Sequence, residues 1–254
     1  MMQAPGGLMR IALFSDIHGN RQAYEAVLQA ADHAGAERIV ILGDVVGYGG
    51  DPAWCLEKTR QLVEKGALAV RGNHDQALTD PHISLNEQAR AALHWTRSAL
   101  TSEQISFLTG LPIRARDEER LYVHGDAAAP ERFHYVTDVD AADQHFSACD
   151  SRLSFCGHVH RPALYALGPG GRIISFTPHS ATAIPLLPQR RWLSVMGSVG
   201  QPRDGDPAAA FGLYDTASGA LSFLRAPYDV DAAAQAIRAA GLPETLATRL
   251  YRGK

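Results

Sequence analysis

Short apolar runs punctuate the chain between Ile11 and His160, and each ends in residues able to hold a metal ion. Ile11 to Phe14 leads into Asp16 and His18, Ile39 to Leu42 into Gly43 and Asp44, and Leu68 to Val70 into Asn73 and His74. Leu121 to Val123 leads into His124, and Leu153 to Cys156 into His158 and His160. Apolar runs of this length, bounded by turn formers, mark strands buried on both faces. After the first run the period changes: Ala23, Val27, Leu28 and Ala31 share one helical face, closed by Gly35. Asp51-Pro52 opens a second helix that runs toward Lys65-Gly66. Strand, polar loop and helix thus form a repeating α/β unit.

Past Asp75 the alternation stops. Ser84 with Glu87 and Thr101 with Gln104 have capping-box spacing and predict two helices, an insert expected to flank the strand-end loops. Ile113 to Ala115 and Leu121 to Val123 read as strands around the charged turn Asp117 to Glu119, and a helical stretch lies around Ala141 to Ala148. The C-terminal part reads as two hairpins, Ala163 to Leu167 with Arg172 to Thr177 and Ala209 to Tyr214 with Ala220 to Leu224. Helices over Val230 to Ala240 and Glu244 to Tyr251 close the chain. No internal repeat beyond the α/β units, low-complexity tract or polar linker divides it. The expectation is a single domain over residues 9–254, a sandwich of two sheets with helices outside, preceded by a disordered extension over residues 1–8.

Composition narrows the function classes. The chain has 254 residues, 46% of them hydrophobic and 20% charged, which suffices for a large core and excludes a disordered or fibrous protein. A formal net charge of −3 gives no electrostatic case for gripping a nucleic-acid backbone, so a small-molecule partner is expected rather than nucleic acid. Cys55, Cys149 and Cys156 have no C-x-x-C spacing and read as core thiols of a cytoplasmic protein. The N-terminal MMQAPGGLMR has no apolar signal region, and no stretch is long and apolar enough to span a bilayer, so no membrane partner is expected.

The strand-end residues carry the chemistry. In open α/β sheets ligands collect at the carboxyl ends of strands, which makes Asp44 a site carboxylate rather than a solvated charge. Two aspartates, one asparagine and four histidines exceed what one ion needs, since a catalytic metal takes three or four protein ligands and leaves a place for water. Two divalent ions sharing the Asp44 carboxylate, about 3.5 to 4 Å apart with a hydroxide between them, are the economical arrangement. A mixed imidazole and oxygen set suits Mn, Fe, Zn or Ni over Mg or Ca. Any single aspartate here has an ordinary reading as a turn former, and any single histidine as a satisfied polar residue. Seven such residues at five strand ends do not. His33, His82, His94, His134, His145 and His179 lack that setting. Tyr48, on the Asp44 loop, and Arg203, in GQPRDG, are placed to touch a phosphate oxygen or leaving group, and each has an equal reading as an ordinary loop residue.

Taken together, D-x-H at Asp16 to His18, GD at Gly43-Asp44, GNHD at Gly72 to Asp75, HG at His124-Gly125 and GHVH at Gly157 to His160 resemble the calcineurin-like metallophosphoesterase superfamily, in the same order and over most of the chain. GDVVGYGGDP and GSVGQPRDG resemble its compact bacterial and archaeal phosphodiesterase-like branch. The resemblance implies a four-layer α/β/β/α sandwich of two mixed sheets with a dinuclear centre at the strand C-terminal ends. It implies hydrolysis of phosphate esters, small-molecule or nucleotide-type diesters ahead of monoesters or phosphoproteins. On that pattern Asp16, His18 and His160 hold the first metal, Asn73, His124 and His158 the second, and Asp44 bridges. His74 stands beside the leaving group, and Asp75 is expected to orient its ring. The chain departs from the pattern at Asp126, where relatives commonly carry a small residue, and at Met196. The rival readings are a catalytically weak metal-binding scaffold of the same fold, which retention of all seven ligand types argues against, and a nuclease, which needs a basic channel.

Overall fold

The computed structural model describes residues 8–179 and 182–254; the extension expected over residues 1–8 lies, apart from Leu8, outside them. Each short apolar run becomes a strand, and the strands assemble into two six-stranded mixed sheets. In the first sheet β1 (Arg10–Phe14), β2 (Arg38–Ile41) and β3 (Leu68–Ala69) run parallel. β1 then pairs antiparallel with β11 (Ala209–Asp215), which continues through β12 (Ala220–Ala226) to β9 (Ile184–Pro185). In the second sheet β5 (Arg120–Val123), β6 (Leu153–Cys156) and β10 (Arg191–Val195) form the parallel trio. Its antiparallel flanks are β4 (Arg114–Asp117) on one side, and β7 (Ala163–Leu167) and β8 (Ile173–Phe176) on the other.

Alternation along the strands builds the layers, because successive side chains point to opposite faces. Ile11, Leu13, Val40 and Leu42 meet Tyr122, Leu153, Phe155 and Trp192 between the sheets. Ala12, Phe14 and Ile41 face outward onto Tyr24 and Val27 of α1 (Arg21–His33) and Leu56 of α2 (Pro52–Glu64). Leu121, Val123 and Leu193 face the other way, onto Ala142 and Phe146 of α6 (Val139–Ser147). The outcome is the expected α/β/β/α sandwich. Met196, one of the two departures, is fully buried between the sheets, with its sulfur against the backbone of Gly212, where a Cβ would collide with it.

The element boundaries differ from expectation in three informative places. The helix after Ser84 is α4 (Glu87–Ala99), and its cap is Asn86, whose side chain accepts from the Ala89 N–H; Ser84 lies outside it. α5 (Ser102–Gly110) does begin with the Thr101 and Gln104 capping box. β10 sits centrally in its sheet between β6 and β7 with no expected counterpart, because its five residues open with Arg191 directly after Gln189 and Arg190. After β3 a single turn, α3 (Asn73–Gln76), starts directly at the site. α7 (Val230–Ala239) and α8 (Glu244–Leu250) close the chain. No helix among the described residues is long and apolar enough to cross a membrane, and the three cysteines are free thiols.

Candidate metal centre

The two parallel trios deliver their C-terminal loops to one edge of the sandwich, and there the strand-end residues meet. The loops are tightly wound: Asp16, His18, Asp44, Tyr48, His158 and His160 all adopt positive φ, between 51° and 68°. For a residue with a Cβ that region costs about 1 to 2 kcal/mol, so six such residues in one place mark a site held against local preference. Glycine permits the close approach. A Cβ on Gly72 would overlap the Asp44 carboxylate, and one on Gly157 would overlap the Ser15 hydroxyl.

Three histidines are fixed by backbone carbonyls. The Nδ1–H groups of His18, His124 and His160 donate to Val46 O at 3.2 Å, Leu42 O at 2.7 Å and Gln201 O at 2.7 Å. A carbonyl only accepts, so each of these rings carries its hydrogen on Nδ1 and, when neutral, turns a bare Nε2 into the site. His18 Nε2 and His160 Nε2 face each other at 3.1 Å, with Asp16 Oδ1 at 3.7 and 3.2 Å from them. His124 Nε2 faces His158 Nδ1 and Asn73 Oδ1, both at 3.1 Å, and Asp44 Oδ2 at 3.3 Å. With the rings neutral these are convergent acceptors, and Asp16 Oδ1 is buried without any hydrogen-bond partner. Such an arrangement fits a cation in each cluster, and nitrogen with carboxylate oxygen is a transition-metal donor set. Second-sphere carbonyls that fix the ring tautomer are the usual support for imidazole ligands.

The aspartates divide their oxygens between anchoring and the site. Asp16 Oδ2 accepts from the Ser15 hydroxyl at 2.6 Å and the His158 N–H at 3.0 Å, which leaves Oδ1 to face His18 and His160. Asp44 Oδ1 accepts the His74 N–H at 2.8 Å, while Oδ2 lies between the clusters, 3.7 Å from His18 Nε2 and 3.3 Å from His124 Nε2. One carboxylate oxygen therefore addresses both. Burial opposes ionisation of both carboxyls, and the surrounding imidazoles overcome it and bring Asp16 and Asp44 below the usual carboxylate range. Burial pushes His158 down to about 3 and His160 to about 4, so those rings offer lone pairs rather than protons. For His124 burial works in the same direction, but Asp44 outweighs it and holds the ring at about 9. A cation between that oxygen and nitrogen would take the proton's place.

One of the remaining expected residues sits differently from expectation. Asp75 does not reach the His74 ring: Oδ1 accepts from Val45 N–H at 3.0 Å and Val46 N–H at 3.3 Å, and Oδ2 from Gly72 N–H at 3.0 Å. It ties the Asp44 loop to α3, because a buried carboxylate beside three unpaired amides is satisfied by them first. Asp126 points away from the clusters, accepting from Ala129 N–H at 3.0 Å and pairing with His134 at 3.3 Å. His74 is buried beside His18 and Asp44, close enough for the three to hold an ion together, and burial pushes it down to about 3. Tyr48 is walled in, its ring 4.7 Å from His18 and 4.6 Å from His74 by centroid. The Arg203 guanidinium stands 5.8 Å from the Tyr48 ring centre.

Sequence reasoning missed several neighbours. Tyr135 stacks on His158 at 3.9 Å with the rings 11° from parallel, and borders a groove of about 720 Å³ with Phe133, His134 and the insert residues Asp80, His82 and Asn86. Gln201 supplies the carbonyl that holds His160, and Ser198 Oγ donates to Asp16 O at 2.7 Å. Tyr135 lies in no motif, whereas Ser198 and Gln201 lie within GSVGQPRDG, where only Arg203 was singled out.

Comparison with known proteins identifies the family. Residues 9–219 match the description of the calcineurin-like phosphoesterase superfamily domain. The chain belongs to that superfamily. A metallophosphoesterase from Sphaerobacter thermophilus is 35% identical, superimposes with a TM-score of 0.86 and is covered completely by 98% of this chain. A Methanocaldococcus jannaschii protein of uncharacterised function is 33% identical over 96% of this chain and 98% of its own length. The Escherichia coli K12 phosphodiesterase YfcE is 26% identical over 82% of this chain and 88% of its own.

Proposed function

We propose that the chain is a two-cation hydrolase of phosphodiesters of small-molecule or nucleotide type. The observation that carries the reading is Asp44 Oδ2, which faces His18 Nε2 and His124 Nε2 at once and so presents one charge to both clusters. Asp16, His18 and His160 would hold one divalent transition ion, Asn73, His124 and His158 the other, with Asp44 shared. Ions there would neutralise the phosphate charge and lower the pKa of water at neutral pH.

The protein's own groups do the rest. The anchored oxygens of Asp16 and Asp44 and the carbonyl-bound rings of His18, His124 and His160 keep the acceptors in place, so no reorganisation is needed when substrate arrives. His74 is held beside Asp44 through its own N–H; burial keeps its ring neutral in the free protein, and the negative charge of an arriving phosphate ester would favour the protonated form that donates to the departing oxygen, which becomes more basic as the bond breaks. Tyr48 keeps His74 and His18 dry from one side, and Tyr135 covers His158 from another. The groove beside Tyr135 leaves room for the second ester group of a diester, as the name of the E. coli relative also suggests.

Purified protein reconstituted with Mn²⁺ is expected to hydrolyse bis(p-nitrophenyl) phosphate faster than p-nitrophenyl phosphate, and to stop on chelation. Faster monoester turnover would make it a phosphomonoesterase of the same superfamily. Two bound ions with turnover of neither ester would favour the scaffold reading.

A further inference from the structure

Arg203 and Arg249 form a second cationic site next to the clusters. The Arg203 Nη2 and Arg249 Nη1 groups both donate to one atom, Gln201 Oε1, at 2.8 and 3.2 Å. Two guanidinium groups therefore stand side by side on a single neutral acceptor. Arg249 Nη2 reaches Gln88 Oε1 at 3.2 Å, again an amide, and Arg203 Nε is buried without a partner. Among the described residues neither arginine has a carboxylate within ion-pair distance. The acids close by are engaged elsewhere: Asp204 and Asp206 with Arg225, and Glu244 with Arg238. Both arginines are half-buried, and burial together with Arg203 lowers the Arg249 guanidinium below its ordinary value.

Like charges held together out of bulk water and left unneutralised are costly unless an anion joins them. The location says which anion. Arg203 donates its backbone N–H to His160 O at 3.1 Å, its guanidinium lies against Tyr48, and Gln201 O holds the His160 ring. We propose that this arginine pair is a subsite for a second phosphate group, so that the substrate class is phosphate esters carrying a further phosphate linked to the reacting one, as in pyrophosphate and polyphosphate esters. The proposal rests on the phosphoesterase reading above for the position of the reacting phosphate. Arg–phosphate contacts are charge-assisted and geometrically selective, which gives the longer anion its advantage.

Isothermal titration of Mn²⁺-loaded protein, with free Mn²⁺ buffered, would compare inorganic phosphate with tripolyphosphate. The wild-type chain is expected to bind tripolyphosphate about a hundredfold more tightly, and that ratio is expected to fall about tenfold in Arg249→Gln and in Arg203→Gln. Arg238→Gln removes the same charge from an exposed pair with Glu244 and is expected to leave the ratio intact. A wild-type ratio near one would overturn the proposal even if a variant failed to fold. So would a ratio that fell as far in Arg238→Gln as at Arg203 or Arg249. Hydrolysis of neither nitrophenyl ester, with the tripolyphosphate preference present and sensitive to both arginines, would remove the phosphoesterase reading and leave the anion site standing.

Discussion

Asp16 and Asp44 each use one oxygen to fasten a loop and the other to face the centre, so removing either charge disturbs both anchoring and chemistry. His74 separates the two, since its backbone N–H makes the anchor and its ring is free to act. His74→Ala is expected to retain both ions and to slow hydrolysis of an alkyl phosphate diester by about 100- to 10,000-fold, the usual worth of a positioned proton donor. The loss on the nitrophenyl analogue should be much smaller, because nitrophenolate needs little help to leave. Equal losses on the two esters would make His74 an electrostatic contact to phosphate, and a lost ion would make it a ligand with His18 and Asp44. The seven convergent residues were readable in the sequence because each follows an apolar run at a strand end. Tyr135, Gln201 and Arg249 were not, because they act through distant partners: Gln201 O meets a ring 41 positions earlier, and Arg249 reaches Gln88 from 161 positions away. Asp75 was misread for a related reason. Adjacency in sequence suggested contact with His74, while three nearby amides claim its carboxylate.

At the scale of elements, α6 joins the outer layer to the loop that carries His124. His145 lies fully buried on its inner face and accepts the Ala127 N–H at Nδ1, at 3.1 Å, so the ring is neutral with its proton on Nε2. Burial, assisted by Arg191 and opposed by Asp126, pushes it down to about 4 from 6.5. Between those values the unfolded chain binds the proton and the folded chain does not, so stability falls as pH drops from about 6.5 toward 4. The full shift is worth about 3 kcal/mol. Urea unfolding at pH 7 and pH 5 is expected to show a smaller acid loss for His145→Gln than for the wild type; identical losses would show that this ring does not titrate on unfolding. The elements themselves were legible to different degrees. Strands and helices with clean apolar periods appeared within a residue or two of expectation, as β6, β7 and α7 did. β10 escaped because a buried central strand of five residues, opened by an arginine, has too little pattern to stand out from its polar approach.

Over the whole molecule, two sheets that each contribute a parallel trio meet at one edge, and the account holds that the convergence is completed by cations. Ions that bind only the folded state add to its stability, by about 4 kcal/mol when present at a thousand times their dissociation constant. Chelation is therefore expected to lower the melting temperature, and re-addition of Mn²⁺ to restore it. A melting temperature indifferent to chelator in protein shown to be metal-loaded would mean that the clusters are satisfied without ions. The fold class was open to sequence reasoning because α/β alternation and two hairpins leave few ways to bury so many apolar runs. The groove and the arginine pair were not: the groove lies between the insert and residues 131–135, and Arg249 of the C-terminal helix meets Gln88 of the insert. The most direct measurement is the number of ions per chain, by elemental analysis after equilibration with Mn²⁺, in the wild type and in Asp44→Asn. The account predicts two in the wild type and weakened retention of both in the variant, since each cluster loses a share of the same charge; an Asp44→Asn chain that kept two tightly bound ions would contradict it.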